Sequence, residues 1–532
     1  MKVLISDNLA SVGEKILREA GLEVDVKTGL PPEELKAIIA DYDGLVIRSA
    51  TKARADIIEA GTKLKVIGRA GIGLDNVDIP AASAKGIVVM NAPDGNAVTA
   101  AEHAIAMMTS LARNIPQATA SMKAGKWEKK SFMGRELTGK TLGIVGIGRI
   151  GSIVASRAQG LKMKVIAFDP FMPEELVEQL GVERVELLEL AKRADFISVH
   201  TPLTKDNRHM LSTEFFGAMK KEAMFIDCAR GGVVDEEALH AALKEGRIAG
   251  AALDVFEKEP ATVETTPLIG LHNFICTPHL GASTSEAQEN VAAAIAEQMA
   301  DYLLTGAVRN AVNVPSVSDE VLAKIGPYIT LGEMLGSLHM QISKGGVQEV
   351  ALEYSGDVAE QHVSPVTVAF LKGLFTPILQ DAVNFVNAPL IAKERGIKVI
   401  ESKSTCSSDF TSLVRITVKT TEGENVLAGT VFGTKEPRLV RLNSFCLEAL
   451  LAGPMLLVYN KDIPGVIGAL GTTIGAAGVN ISRMTVGREE SSKQNVILLN
   501  TDQPVNKELL TKVLELEHVD NAMALSLPAY KS

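Results

Sequence analysis

The segment Gly146-Ile147-Gly148-Arg149-Ile150-Gly151 follows the apolar run TLGIV and precedes a helical pattern. Such a turn suits a dinucleotide. Its first glycine permits the tight turn, its second lets the backbone approach a pyrophosphate, and its third allows close helix–strand packing. The helix start at Arg149 and Ile150 adds N–H donors and a positive dipole end. Glycine-rich turns are common, but here Asp169 stands 18 residues after Gly151, at the end of KVIAF. A carboxylate there accepts hydrogen bonds from both ribose hydroxyls and repels a 2′-phosphate, favouring NAD over NADP.

Hydride transfer between a 2-hydroxy acid and a nicotinamide needs a base for the hydroxyl proton, a partner that orients the base, and a cation for the carboxylate. The chain has nine histidines. His279 stands out because it follows FICTP at a strand end, where open α/β sheets place ligand-contacting residues. Glu259 follows a similar run in LDVFEKEP, and Arg230 another in IDCARGG. These three groups could converge on one crevice. They could equally be a structural histidine, a solvated loop carboxylate and a surface cation, because spacing alone does not bring them together. His103 lies in a long apolar helical pattern, and His200 ends a strand from which it could line a cofactor cleft. His209, His240, His272, His339, His362 and His518 lie in polar or peripheral contexts.

The elements that would hold these residues read as two βα series. In the first 92 residues VLIS, LVIR, KVIG and IVVM read as buried parallel strands, and Pro31-Pro32-Glu33-Glu34 carries helix start signals. Residues 96–124 read as one long helix, apolar enough to be buried against another domain or a second subunit. The second series begins at Thr141 and contains TLGIVGIG, KVIAFD, FISVH, AMFIDCA, IAGAALDVF and FICTPH, which predicts a second doubly wound parallel sheet. A helix from about Ser283 to Leu304 and a linker, NAVNVPSVSDE, follow.

After Pro315 the pattern changes. VQEVALEYSG, LVRITVKT, ENVLAGTVFG and PRLVRL alternate apolar and polar residues, as in an antiparallel sheet with one covered face. The apolar helical segment VAFLKGLFTPILQDAVNFVNAPLIAKERG lies between the first and second of these. From Pro454 the order strand, Gly-rich helix, strand, strand, helix, strand resembles a ferredoxin-like sandwich. Glycines 465, 468, 471, 475 and 478 predict a small-residue stripe that packs that helix closely on its sheet, and Gly478 suits a helix stop.

Composition bounds the rest. A chain of 532 residues, 46% apolar and 22% charged, suits three or four globular domains and neither a disordered nor an integral membrane protein. The formal charge of −10 argues against nucleic acid or anionic lipid as partner. Cys228, Cys276, Cys406 and Cys446 form no CxxC pair, so neither a metal knuckle nor a disulfide framework is expected. MKVLISDNLA lacks the apolar run of a signal peptide, and Pro464–Ser482 is too rich in glycine and polar residues for a membrane span. A cytoplasmic protein without bound metal is the expectation.

Taken together, the GxGxxG–Asp unit, CARGGVVDEEAL, LDVFEKEP and TPHLGAST resemble the D-isomer-specific 2-hydroxyacid dehydrogenases. RAGIGLDNVD, NAPDGN, IPQATASMKAGKWEKKSFMG and the long C-terminal extension are similar to the branch that acts on 3-phosphoglycerate. This resemblance spans essentially the whole chain. It implies an α/β protein of two Rossmann-like domains, then an α+β intervening domain and a βαββαβ ACT domain. The implied units are substrate-binding 1–95 completed by 286–313, NAD-binding 96–285, intervening 314–453 and ACT 454–532.

The resemblance also implies roles. His279 would be the acid/base, Glu259 would orient it and favour its protonated form, and Arg230 would bind the substrate carboxylate. Thr201, Asp254, the Cys228-Ala229-Arg230 strand end and the loop from His279 through Gly281 to Ala282 match positions around NAD. Ile72 stands where close relatives carry a cofactor-touching threonine, although Gly71 and Gly73 beside it keep the backbone approachable. For a substrate phosphate, Arg48-Ser49 pairs a guanidinium with a hydroxyl, and Asn96 follows a Pro-Asp-Gly turn. Lys129, Lys130 and Arg135 cluster in a loop that the family uses near the active site, in some cases across a dimer. KWEKK reads equally as an exposed basic loop.

In the ACT unit, Asn460, Asp462 and Asn480 match positions that would hold L-serine as an effector. Many such domains serve assembly alone. A homodimer or homotetramer is implied. Reduction of glyoxylate or hydroxypyruvate by the same site is the alternative activity, and an NAD-sensing binding protein is the alternative class.

Overall fold

Runs such as Gly44–Ile47, buried along their whole length, form parallel strands because helices cover both faces of the sheet. The computed structural model describes residues 1–93, 95–172, 174–315, 319–406, 410–433, 435–489 and 493–528. Asp94 of the Pro-Asp-Gly turn and residues 316–318 of the linker lie outside these. The first sheet contains β1 (Lys2–Ile5), β2 (Glu23–Val26), β3 (Gly44–Ile47), β4 (Val66–Arg69) and β5 (Val88–Asn91), all parallel in the order β2-β1-β3-β4-β5. Strand β2, EVDV, has one fully buried residue, so its apolar pattern was too weak to read.

The second sheet contains β6 (Thr141–Val145), β7 (Lys164–Phe168), β8 (Glu183–Arg184), β9 (Phe196–Val199), β10 (Met224–Asp227), β11 (Gly250–Leu253) and β12 (Phe274–Cys276). All are parallel, in the order β12-β11-β10-β9-β6-β7-β8. The chain order thus reverses beside β6, the crevice that such sheets use for nucleotides.

The expected long helix over 96–124 is two helices, α1 (Ala97–Ala112) and α2 (Ile115–Lys123). Asn114 between them takes a left-handed φ of 52°, and Pro116 has no amide hydrogen to continue the first helix. Helix α1 buries Ala101, Ala104 and Met108 against Leu142, Ile144 and Ile226 of the second sheet. Helix α3 (Arg149–Gly160) follows the glycine turn, and α4 (Ser285–Thr305) returns to the first sheet, where Ile295 and Met299 share a core with Val66 and Val88.

The C-terminal part is one ten-stranded mixed sheet. Its strands are β13 (Val347–Gly356), β14 (Lys398–Ser404), β15 (Ser412–Thr420), β16 (Gly423–Phe432), β17 (Glu436–Leu442), β18 (Phe445–Ala449), β19 (Pro454–Lys461), β20 (Ile481–Glu489), β21 (Gln494–Thr501) and β22 (Val519–Ser526). The four runs expected to be antiparallel, β13, β15, β16 and β17, pair so, and β14, a mostly exposed edge strand, adds a parallel pairing with β13. Helices α5 (Asp319–Ile342) and α6 (Ser364–Leu379) cover one face, crossing where Gly336 and Gly373 let the backbones meet.

Strands β20-β21-β19-β22 with α7 (Val466–Ala476) and α8 (Lys507–Leu514) make the ferredoxin-like unit, joined to the preceding sheet where Cys446 of β18 pairs with Arg488 of β20. The glycine stripe of α7 does not pack on the sheet. Val466, Leu470 and Ile474 form the buried face, and a Cβ at Gly468, Gly471 or Gly475 would meet nothing within 4 Å among the described residues. Branched side chains bury more apolar area than glycine, so they take the core side. Gly478, with φ 73°, does stand just past the helix end. Among the described residues no helix is long and apolar enough to cross a membrane.

Candidate active site

The turn after β6 has the conformation a dinucleotide needs. Gly146 has φ 91°, and a Cβ there would stand 3.0 Å from the His200 carbonyl oxygen. Gly148 faces open space, which leaves its backbone approachable, while a Cβ on Gly151 would stand 2.1 Å from the Gly146 carbonyl oxygen. Arg149, Ile150 and Gly151 form the first turn of α3, the helix end that favours an anion. Asp169 ends the next strand; its Oδ2 accepts the Ile147 amide at 3.1 Å and its Oδ1 the Phe171 amide at 2.9 Å. Among the described residues the Thr201 hydroxyl is buried without a partner. An orphaned donor beside an open glycine cradle fits a bound dinucleotide.

His200, which the sequence allowed to line this cleft, bonds the Ser198 hydroxyl at 2.8 Å, and burial pushes its pKa down to about 4. Cys228 and Ala229 directly follow β10 and are buried, and burial raises the Cys228 thiol well above its ordinary pKa. Beneath them the buried Asp227 accepts the Ala229 amide at 2.8 Å, and burial pushes its carboxyl up to about 7.

A crevice of about 980 Å³ opens between the first and second sheets, and Arg230, Glu259 and His279 all line it. His279 Nδ1 lies 2.9 Å from Glu259 Oε2 and 3.1 Å from Oε1, leaving Nε2 for a ligand. This hydrogen bond raises the imidazole above its ordinary pKa, against a smaller lowering by burial. For Glu259, burial raises the carboxyl, but the hydrogen bond and charge of His279 outweigh it and hold the pKa low. Arg230 donates to the Ala229 carbonyl at 2.7 Å and to Asp75 at 3.3 Å. A Cβ on Gly73 would stand 2.2 Å from Arg230 Nη2, so a glycine is needed for that approach.

Asp254, fully buried at the end of β11, organises the loop that carries His279. Its carboxylate accepts the Leu280 amide at 2.7 Å, the Gly281 amide at 2.8 Å and the Thr277 hydroxyl at 2.5 Å. Burial raises this carboxyl, and hydrogen bonds from His103, Thr277 and Leu280 outweigh burial and hold it below the usual range. Ala282, two residues further, lines the crevice.

The substrate end is more cationic than the sequence suggested. Arg48, Ser49 and Asn96 line the crevice together with Lys52, Arg54 and Arg69, three cations that sequence reasoning missed. Arg69 leaves its buried Nε unpartnered among the described residues. Burial and then the neighbouring Arg230 charge push its guanidinium down to about 10. A Cβ on Gly71, where φ is 148°, would collide with Arg69 Nη1 at 2.0 Å. Ile72 presents its carbonyl to Asn91 Nδ2 at 2.7 Å.

The loop bearing Arg48 and Ser49 is held from below. Asp7 accepts the Arg48 amide at 2.6 Å and the Thr51 hydroxyl at 2.6 Å, and Asn76 Nδ2 donates to the Arg48 carbonyl at 2.6 Å. Asp7 and Asn76 lie 41 and 28 residues from Arg48, so no local signal could have found them. Among the described residues the Asn96 Oδ1 is buried without a partner.

Lys129, Lys130 and Arg135 do not line this chain's crevice. Their segment packs elsewhere: the Arg135 amide donates to the Ala112 carbonyl at 2.8 Å, Asn114 holds the Met133 carbonyl, and the Arg135 guanidinium pairs with Glu222. Lys129 and Lys130 lie in an exposed short turn. In the ferredoxin-like unit, Asn460 is buried with Oδ1 unpartnered among the described residues, while Asp462 pairs with Arg488 at 2.5 Å and accepts Asn495 Nδ2 at 2.9 Å. Asn480 donates to Asp502 at 2.8 Å.

Residues 105–281 match the D-isomer specific 2-hydroxyacid dehydrogenase NAD binding domain, 324–443 the D-3-phosphoglycerate dehydrogenase intervening domain, and 455–518 the ACT domain. The chain is 45% identical over 528 residues to a D-3-phosphoglycerate dehydrogenase of Methanocaldococcus jannaschii, covering 99% of this chain and 100% of that one. It is 39% identical over 527 residues to the enzyme of that name in Bacillus subtilis, again covering 99% and 100%. The solved apo-structure of D-lactate dehydrogenase from Escherichia coli superposes with a TM-score of 0.52 at 29% identity, over 59% of this chain and all of that one. Relatives that span the full length do not favour glyoxylate reduction or an NAD-sensing binding protein.

Proposed function

The chain belongs to the D-3-phosphoglycerate dehydrogenases, within the D-isomer-specific 2-hydroxyacid dehydrogenases, and on that footing we propose how its crevice oxidises 3-phospho-D-glycerate to 3-phosphohydroxypyruvate, the first step of L-serine synthesis. NAD, held at Gly146–Gly151 and Asp169, supplies the hydride acceptor when bound. His279 takes the C2 hydroxyl proton on Nε2 as C2 gives up its hydride, so the alcohol loses two electrons and two hydrogens in one step. Glu259 stabilises the resulting imidazolium across the 2.9 Å hydrogen bond to Nδ1. Arg230 holds the C1 carboxylate and stabilises charge on the C2 oxygen. Arg48, Ser49, Arg69 and Asn96 hold the phosphate.

The observation that carries this reading is the convergence of the Glu259–His279 pair and the Arg48, Arg69 and Arg230 cations on one crevice. A dianionic phosphate explains cations in excess of the one a plain 2-hydroxy acid requires. Lys129, Lys130 and Arg135 belong to a surface that includes Trp127 and Met133, 82% and 83% exposed, and we assign that loop to a partner subunit's crevice in a homodimer or homotetramer. The same reading takes 1–95 with 286–313, 96–285, 314–453 and 454–532 as the working units, a cytoplasmic location, and L-serine as the effector at Asn460, Asp462 and Asn480.

The test is NADH formation with 3-phosphoglycerate against D-lactate, D-glycerate and D-2-hydroxyglutarate. The phosphorylated acid is expected to be preferred. Arg48→Ala should lower its kcat/KM by roughly 10- to 100-fold, the worth of a charge-assisted hydrogen bond, and leave D-lactate turnover unchanged. Preference for an unphosphorylated acid, indifferent to Arg48→Ala, overturns the assignment.

A further inference from the structure

We propose that His103 is a positioning residue for this reaction, acting through Thr277 and Asp254 on the backbone that carries His279. His103 projects from α1, on a different element from the catalytic set, and does not line the crevice. Its Nε2 lies 3.0 Å from the Thr277 hydroxyl oxygen and 3.3 Å from Asp254 Oδ1. The Thr277 hydroxyl spends its one proton on Asp254 Oδ1, 2.5 Å away, so it can only accept from His103. This settles the imidazole as the Nε2–H form.

The loop beyond Thr277 needs such a hold. His279 has φ 56°, a left-handed conformation that side-chain-bearing residues rarely adopt and that persists only where the surroundings over-determine it. The determinants converge on Asp254. The His279 amide donates to the Asp254 and Thr277 carbonyls, both at 3.0 Å, and the next two amides donate to the Asp254 carboxylate. Three successive amides of the catalytic loop therefore hang on one buried residue. Thr277, Leu280 and Gly281 all belong to that loop; His103 alone, among the contacts described, ties the carboxylate to a helix packed on the nucleotide sheet. Without it Asp254 can rotate with the loop, and the His279 ring loses its fixed place between Glu259 and the ligand. A shift of one ångström is enough to slow the chemistry while leaving ligands bound.

The inference rests on reading His279 as the base. It is tested with His103→Leu, His103→Asn, His103→Gln and Thr277→Val, each compared with wild type on whichever D-2-hydroxy acid the wild type oxidises fastest, so that a wrong substrate assignment does not disturb it. A glutamine amide reaches where Nε2 stands and an asparagine amide does not. His103→Leu and His103→Asn are expected to lower kcat on the order of tenfold. KM for both substrates and NADH affinity by fluorescence titration should stay within about twofold, and His103→Gln should recover most of the rate. The doubly substituted His103→Leu/Thr277→Val protein should be no slower than the slower single variant, because both break one relay. If His103→Leu does not fold, the Asn and Gln pair carries the comparison. Wild-type kcat in the Leu and Asn variants, equal loss in the Gln and Asn variants, or additive loss in the double variant overturns the proposal.

Discussion

His279 and Glu259 share a 2.9 Å hydrogen bond, and pH reads the coupling between them. The carboxylate raises the imidazole above its ordinary value, and with His279 as the proposed base, oxidation needs the imidazole neutral. The kcat/KM for oxidation should therefore rise with pH through an apparent pKa above the usual histidine value of about 6.5. Reduction needs the imidazolium and should fall across the same range. Glu259→Gln keeps a hydrogen-bonding atom near Nδ1 but removes the charge, so both limbs should move to lower pH and the maximal rate should drop by roughly 10²-fold. Profiles in the two directions check this, and limbs that stay in place refute it.

Two sets of glycines in similar helices do opposite things. A Cβ on Gly336 of α5 would stand 2.1 Å from the Phe370 carbonyl oxygen of α6, and one on Gly373 would stand 2.0 Å from the Glu333 carbonyl oxygen. Gly336→Ala must push two backbones apart and should cost about 1–3 kcal/mol. A Cβ on Gly471 of α7 would meet nothing within 4 Å among the described residues, so Gly471→Ala should stabilise by up to about 1 kcal/mol through helix propensity alone. Thermal unfolding of the two variants separates the cases, and shifts of the same sign contradict the packing described. Glycine spacing was read in α7 and not in α5, because which glycine meets a neighbouring backbone depends on what folds against it.

The C-terminal units touch the catalytic part at a defined place. Asn384, in the loop after α6, donates from Nδ2 to the Gly86 carbonyl at 2.8 Å, and Val386 enters the core of the first sheet. The intervening unit is thus fastened to the sheet that carries Arg48 and Arg69, and its own sheet continues into the ferredoxin-like unit through the Cys446–Arg488 pairing. On the proposed function, a ligand at Asp462 would act on the Arg48 and Arg69 side of the crevice through these contacts. Millimolar L-serine should slow NADH formation, and Asp462→Ala should raise the serine concentration needed by at least about tenfold. A rate indifferent to serine would leave the C-terminal units to assembly alone.

The sequence by itself determined the features written into short spans: the glycine turn with Asp169, the two βα series, the βαββαβ order, and the motifs that resemble one dehydrogenase family. These rest on local conformation and on contacts a few residues apart. Only the tertiary structure decided that Arg69, Lys52 and Arg54 share a crevice with Arg48, that Asp7 and Asn76 hold the loop beneath it, and that Lys129, Lys130 and Arg135 face elsewhere. It also drew His103 from a helix that looked merely buried to the carboxylate behind His279. Pairs such as His103 and Thr277, 174 residues apart, meet because sheets and helices pack, and packing leaves no periodic mark in the chain.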